Sequence, residues 1–244
     1  SSVYKMGGYS GVFNGSNAYL SLADSDDWNF GSGDFTIDFW VRFDSLPGDD
    51  RLMGVGGAQY ADNSNLWGFH IMKTSGVYYW YLKAKSGSDI YAHNWSTTVS
   101  TGTWYHIALV KSGNTIQVYQ NGVGINSQDA TGKTMPDIGG NLMIGRFINE
   151  NGVQLDLNGS IDEYRISKGI ARWTSNFTPP SSPYGKVATV TSQKKFGTAS
   201  GEFKGSGEYL SMADSDDWNF GTGDFTIDFW VKFNSVSGEQ ALYE

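Results

Sequence analysis

The chain has 244 residues, with 17 Lys and Arg against 25 Asp and Glu, for a formal net charge of −8. Its basic residues are scattered rather than gathered into a stripe, which argues against nucleic acid as a partner. There is no cysteine, hence no disulfide framework and no thiolate metal site, and no apolar run approaches the roughly 20 residues of a membrane helix.

Taken in order, residues 8–13 (GYSGVF) and 18–22 (AYLSL) read as two short strands around the turn Asn14-Gly15-Ser16-Asn17. The polar stretch 23–34 (ADSDDWNFGSGD) reads as a loop with a single helical turn. Residues 35–43 (FTIDFWVRF) are the clearest strand. Phe35, Ile37, Phe39, Val41 and Phe43 alternate with Thr36, Asp38, Trp40 and Arg42, a period of two with one apolar face. RLMGVG (51–56) and LWGFHIM (66–72) come next as strands. VYYWYLK (77–83) carries aromatics on both faces: Val77, Tyr79 and Tyr81 on one, Tyr78, Trp80 and Leu82 on the other. One of those faces belongs in a core; the other is covered by a loop or offered to a ligand.

IYAHNW (90–95) is extended or looped. WYHIALVK (104–111) and NTIQVYQ (114–120) are joined by Ser112-Gly113, and Asn121-Gly122 makes the next hairpin turn. NLMIGR (141–146) and SIDEYRIS (160–167) complete the strands. KGIARW (168–173) reads as one short helical turn, and TSNFTPPSSPYG (174–185) as a proline-bearing linker. Sustained helical periodicity is missing throughout. With 32 Gly, 9 Trp, 14 Tyr and 14 Phe, the pattern is an all-β, antiparallel jelly-roll sandwich.

One stretch occurs twice. Residues 19–43 and 209–233 differ only at Leu22/Met212, Ser32/Thr222 and Arg42/Lys232. Internal repetition of this kind marks a tandem array. Residues 1–184 form one full unit, and 185–244 are the opening strands of a second copy, equivalent to about 1–54. Both copies claim the same place beside the body of a sandwich. Either the chain forms a homo-oligomer by strand exchange through the partial repeat, or it is part of a longer repeat protein.

The segments GDFTIDFWVRF (33–43), WYHIALVKSGNTIQVYQNG (104–122), LMIGR (142–146) and GSIDEYRISKGIARW (159–173), in that order, resemble the laminin G-like branch of the concanavalin A-like lectin/glucanase superfamily. Members occur among adhesins, carbohydrate-binding modules, sialidase accessory domains and phage virion proteins. The resemblance implies a carbohydrate-binding or adhesion module of an extracellular or virion surface protein, with a glycan or a host or virion surface as partner. The alternative is a structural decoration or fibre repeat that assembles by strand exchange and binds no sugar. The resemblance also implies Ca²⁺ at the sandwich edge, held by Asp162 and by oxygens of Asn14, Gly15 and Ser16. A carboxylate and loop carbonyls are suitable hard ligands. The second copy departs from this, with Lys204 in place of Asn14. Asp162 has a plainer reading too, as a cap on turn amides or a partner of Arg165.

Catalysis is not expected. Counting from Asp24, an EF-hand would need Gly at Asn29 and Glu at Phe35. No Glu has an Asp two residues on, as a laminarinase-type active strand would require. Asp34 and Asp38 would stand about 13 Å apart in a strand, against about 5 Å between the carboxyl groups of a retaining glycosidase. His70, His93 and His106 are well separated and lack zinc-ligand spacing. The glycan expectation therefore rests on Trp80, Tyr78, Trp67, Trp95 and Tyr60 as stacking rings, with His93 and Asn94 as polar neighbours. The opposing reading places most of these rings in the core.

Overall fold

The computed structural model describes residues 3–59, 65–184, 188–190, 200–202, 231 and 233. The chain forms two compact units, Ser1–Tyr184 and Gly185–Glu244.

In the first unit two six-stranded antiparallel sheets pack face to face; strands are numbered along the chain. Sheet one runs in spatial order β1 (Gly11–Asn14), β14 (Asn158–Lys168), β3 (Phe35–Phe43), β8 (Trp104–Ser112), β9 (Thr115–Gln120) and β10 (Val123–Asp129). Sheet two runs β2 (Leu20–Leu22), β11 (Leu142–Ile144), β4 (Arg51–Gln59), β5 (Asn65–Thr74), β6 (Val77–Ser86) and β7 (Ser88–Thr97). A hairpin of β12 (Arg146–Ile148) and β13 (Gln154–Asp156) lies outside sheet two. In the second unit β15 (Ala188–Val190) pairs antiparallel with β16 (Ser200–Glu202); the rest of the expected second copy lies mostly outside the described residues.

Alternation in β3 places Phe35, Ile37, Phe39, Val41 and Phe43 in the core between the sheets. There Phe39 meets Phe69 edge-on at 6.3 Å, and Phe43 tilts against Trp80 at 6.2 Å. Two tight turns hold neighbouring strands in register. Ser75 and Gly76 (φ 49° and 81°) join β5 to β6, and Asn121 and Gly122 (φ 52° and 78°) join β9 to β10. Positive φ at both central residues matches the right-handed twist of the strands. The expected helical turn before β3 is a 3₁₀ turn at Asp26–Trp28, capped by the Ser25 side chain, which accepts the Asp27 N–H.

IYAHNW takes the extended alternative and lies within the full-length strand β7. Two expectations need correction. NLMIGR is two strands, because Gly145 (φ 82°) turns the chain where a Cβ would strike the Phe13 ring. KGIARW is extended rather than helical. The Thr36 hydroxyl donates to the Ile170 carbonyl and accepts the Arg172 N–H, which pins this segment along β3.

From Gly169 to Tyr184 the chain is not a free linker but a strap over the outer face of sheet one. Trp173 and Phe177 stack at 4.0 Å, and both stand edge-on to His106 at 5.7 and 5.6 Å. They cover Ala108, Val110 and Tyr119 as a second, smaller core. Beneath the strap Asp38 is 0% exposed. Arg165 donates to both of its oxygens at 3.0 and 2.9 Å, the Tyr184 hydroxyl donates to Oδ2, and His106 Nε2 lies 3.5 Å away. Burial alone would raise the Asp38 pKa. The bonds to His106, Arg165 and Tyr184, with the Arg165 charge, outweigh it and hold the carboxyl below the usual range.

A second device ties down both ends of the unit. Register in β14 breaks between Asp162 and Arg165, with Glu163 at φ 53°. The bulge aims Asp162 Oδ2 at the N–H groups of Lys5 and Met6 (2.8 and 2.9 Å) and Glu163 Oε2 at the Tyr184 N–H (2.7 Å).

On sheet two the hairpin β12–β13 covers the outer face. Phe147 lies on Gly57 and Gly68; a Cβ at Gly68 would run into its ring. The same ring stacks on His70 at 5.3 Å, with Tyr81 on the other side at 4.9 Å. His70 is 1% exposed, and neither ring nitrogen has a hydrogen-bond partner. Burial, with the nearby Lys83 charge, lowers its pKa from 6.5 to about 3.

These buried groups set two expected outcomes. Asp38→Ala leaves Arg165 without its anion under the strap and should cost about 3–5 kcal/mol in chemical denaturation; a loss near zero would remove Asp38 from this role. His70 is neutral when folded and protonates near 6.5 when unfolded. Its contribution is therefore complete above pH 6.5 and is lost as pH falls toward about 3. Melting curves of His70→Phe should show a shallower loss across that window than the parent; parallel curves would contradict this.

Candidate functional site

The rows of β6 face opposite ways. Trp80, Leu82 and Ala84 point into the core, together with Trp67, Phe69 and Ile71 of β5. Tyr79, Tyr81, Lys83 and Lys85 therefore stand on the outer face, and the two tyrosines are half-buried. Across β7, Ser96 lies opposite Tyr79 and Asn94 opposite Tyr81; both are exposed. Across β5, Met72 lies opposite Tyr79 and His70 opposite Tyr81. This face has the β12–β13 hairpin along one side and β7, the edge strand, along the other.

The hairpin tip is anchored, with the Asn149 carbonyl accepting Gln59 Nε2 at 3.2 Å. Next to it, Glu150 acts electrostatically on Tyr81 and Lys83. Lys83 also holds Asp89 at 2.7 Å. Burial opposes the Lys83 charge, but Asp89, Tyr81 and Glu150 outweigh it and raise its pKa. Burial raises the Tyr81 phenol above 10, so it remains a neutral hydroxyl that can donate and accept. The arrangement is two exposed-edge aromatic rings with a hydroxyl, an amide and a balanced ion pair around them.

This placement revises the expected ligand set. Trp67, Trp80 and Trp95 are 1%, 0% and 2% exposed, so none can offer a ring face to a sugar. Trp80 Nε1 donates to Gln120 Oε1 at 2.9 Å, and Trp95 Nε1 to the Asn126 carbonyl at 2.8 Å. Tyr78 packs against the same core, with Lys73 over its ring at 5.5 Å. His93 shares the inward row with Trp95 and lies 3.1 Å from the Asp129 carbonyl and 3.2 Å from Lys133 Nζ. Asn94 does stand on the outer face. Tyr60 lies outside the described residues. The rings that do face outward, Tyr79 and Tyr81, had a signal in the sequence. Lys83 and Lys85 continue their row, and a lysine row does not enter a core.

The residues carried over for Ca²⁺ are not gathered into one shell. Asn14 pairs with Asn158, four positions along β14 from Asp162, or about 13 Å. Asp162 Oδ2 already accepts two backbone N–H groups, which repel a cation. Gly15 N–H donates to the Leu157 carbonyl, and Ser16 N–H to Asn14 Oδ1. The adjoining Asn17 is held by Arg146 and Asp156, whose charges neutralise each other through a bidentate pair. As arranged, these four residues do not fit the ion.

The family model of laminin G-like domains in the concanavalin A-like lectin/glucanases superfamily matches residues 14–172. No curated protein matches the chain. Among solved structures, the chain is similar to the CBM40 of the Ruminococcus gnavus IT-sialidase bound to α2,6-sialyllactose: 12% identity, 68% of this chain and 96% of that one, TM-score 0.48. The mouse laminin α1 chain domains LG4-5 are 17% identical over 65% of this chain and 41% of theirs, with a TM-score of 0.48. A native heptameric SAP-like pentraxin from Limulus polyphemus is 18% identical over 68% of this chain and 76% of its own, with a TM-score of 0.45. The family assignment rests on the match over 14–172 and on the two-sheet sandwich described above. The chain belongs to the concanavalin A-like lectin/glucanases superfamily, as a laminin G-like member.

Proposed function

We propose that the unit Ser1–Tyr184 is a non-catalytic carbohydrate-binding module of an extracellular or virion surface protein, and that it binds glycan on the outer face of sheet two. The observation that carries this reading is the outward pair Tyr79 and Tyr81, flanked by Ser96 and Asn94. An aromatic ring takes the apolar face of a sugar, while hydroxyl and amide groups pair with its hydroxyls. A non-catalytic role is supported by the chemistry of β3. Its central carboxylate, Asp38, is buried and ion-paired, out of reach of a substrate. The commitment of Asp162 to the Lys5 and Met6 amides supports recognition without calcium.

A second reading, assembly through the repeat, has its own support. In the second unit Val231 and Phe233 are 49% and 44% exposed, whereas their counterparts Val41 and Phe43 are 0% exposed in the first. Apolar side chains left open in this way favour burial against another chain.

A glycan array run with calcium and with EDTA tests the first reading. Binding should be the same in both, and Tyr79→Ala and Tyr81→Ala should each weaken it about tenfold while leaving the fold intact. Trp80→Ala should instead destabilise the fold by about 3–5 kcal/mol. Glycan binding untouched by either tyrosine substitution would sink this site. For the second reading, sedimentation velocity of the full chain should show dimers or larger species as concentration rises. A single monomer boundary at every concentration would rule that reading out.

A further inference from the structure

Resting on the carbohydrate reading above, we infer that the site takes an extended, uncharged oligosaccharide laid along β6 and continuing into the cleft at the sandwich edge, rather than a single terminal sugar. Tyr81, Tyr79 and Val77 stand in one outward row, spanning about 14 Å at 3.4 Å per residue. The row continues past Val77. That residue, with Ser96, Thr98, Asn121 and Val123, lines a cleft of about 580 Å³ between the end of β7 and the β9–β10 turn. The cleft is shallow and open to solvent. Ser96 belongs to both parts: it stands opposite Tyr79 and also lines the cleft, so rings and cleft form one continuous surface.

The polar groups divide between shaping the cleft and serving a ligand. Gln120 is committed internally. Its Oε1 accepts from Trp80 Nε1 and the Thr97 hydroxyl, and its Nε2 donates to the Thr98 carbonyl. Asn121 uses Oδ1 to accept the His106 N–H, which leaves its Nδ2 donors for a ligand. Val77 and Val123, 41% and 58% exposed, supply apolar contact on either side. This alternation of apolar and hydrogen-bonding surface matches a chain of sugar rings, whose faces are apolar and whose edges carry hydroxyls.

Charge decides between neutral and anionic glycans. Beside the tyrosines, Lys83 and Lys85 are matched by Asp89, which bonds Lys83 and lies opposite Lys85, and by Glu150. The whole chain carries −8. An anionic sugar finds no net attraction in this field, whereas a neutral one has no charge to desolvate.

The test is calorimetry of the full chain with the hexaoses and dimers of cellulose, xylan, laminarin, amylose and arabinan, with a hyaluronan hexamer as the anionic comparator. At least one neutral hexaose should bind about tenfold more tightly than its dimer and more tightly than hyaluronan. Val123→Asp should lower hexaose affinity about tenfold and leave dimer binding unchanged. Equal affinity for dimer and hexaose, with Val123→Asp silent and Tyr79→Ala still disruptive, would overturn the extended site while sparing the tyrosine face. Preference for hyaluronan would overturn the charge argument. Binding of none of the hexaoses would overturn the inference. A bound glycan insensitive to both Tyr79→Ala and Val123→Asp would remove the underlying reading as well.

Discussion

The buried carboxylate of Asp38 governs how the first unit closes. It sits in the middle of β3, on the face turned away from the main core, where a lone charge would be strongly unfavourable. Arg165 from β14, His106 from β8 and Tyr184 from the strap converge on it. Three parts of the chain far apart in sequence are thus held at one point. Around that point Trp173 and Phe177 keep water out, and the Arg165 guanidinium lies over the Tyr184 ring at 3.8 Å. The centre of sheet one is consequently covered on both faces.

Sheet two reaches its shape through missing side chains. Gly54, Gly57 and Gly68 form a bare strip across β4 and β5, and Phe147 with its hairpin fills that strip. The hairpin seals His70 without a partner and stops short of β6 and β7. What remains open is the outward row of β6, bordered by the hairpin tip and by β7. The chemistry of the site is a consequence: two half-buried tyrosines, of which burial keeps Tyr81 neutral, a lysine kept charged by Asp89, and exposed serine and asparagine across the strand pair.

Charge at the opposite edge of the sandwich is also self-contained. Arg146 and Asp156 clamp the turn before β2, and Tyr19 lies over the guanidinium at 4.1 Å. Asp162 and Glu163 hold backbone amides at the two ends of the first unit. The acidic residues of the IDEYR segment therefore act as ties between β14 and the ends of the first unit.

Strand content, the two-residue turns, the alternation within each strand and the family could all be read from the residues alone. These are local properties, set by period-two patterning, by glycine at positive φ and by segments of contiguous residues. Even the split of VYYWYLK into two rows was legible. Which row faces inward is marked only by Lys83 and Lys85, which continue the tyrosine row. Period-two alternation itself is symmetric between the faces, so apart from that cue the choice depends on what β5 and the hairpin bring against each one. The same holds for Asp38 and Asp162: their type and position could be read, but Arg165, the ion-pair partner of Asp38, and the amides that Asp162 holds lie more than 120 residues away in sequence. Folding alone brings those partners together, and burial then makes their pairing obligatory.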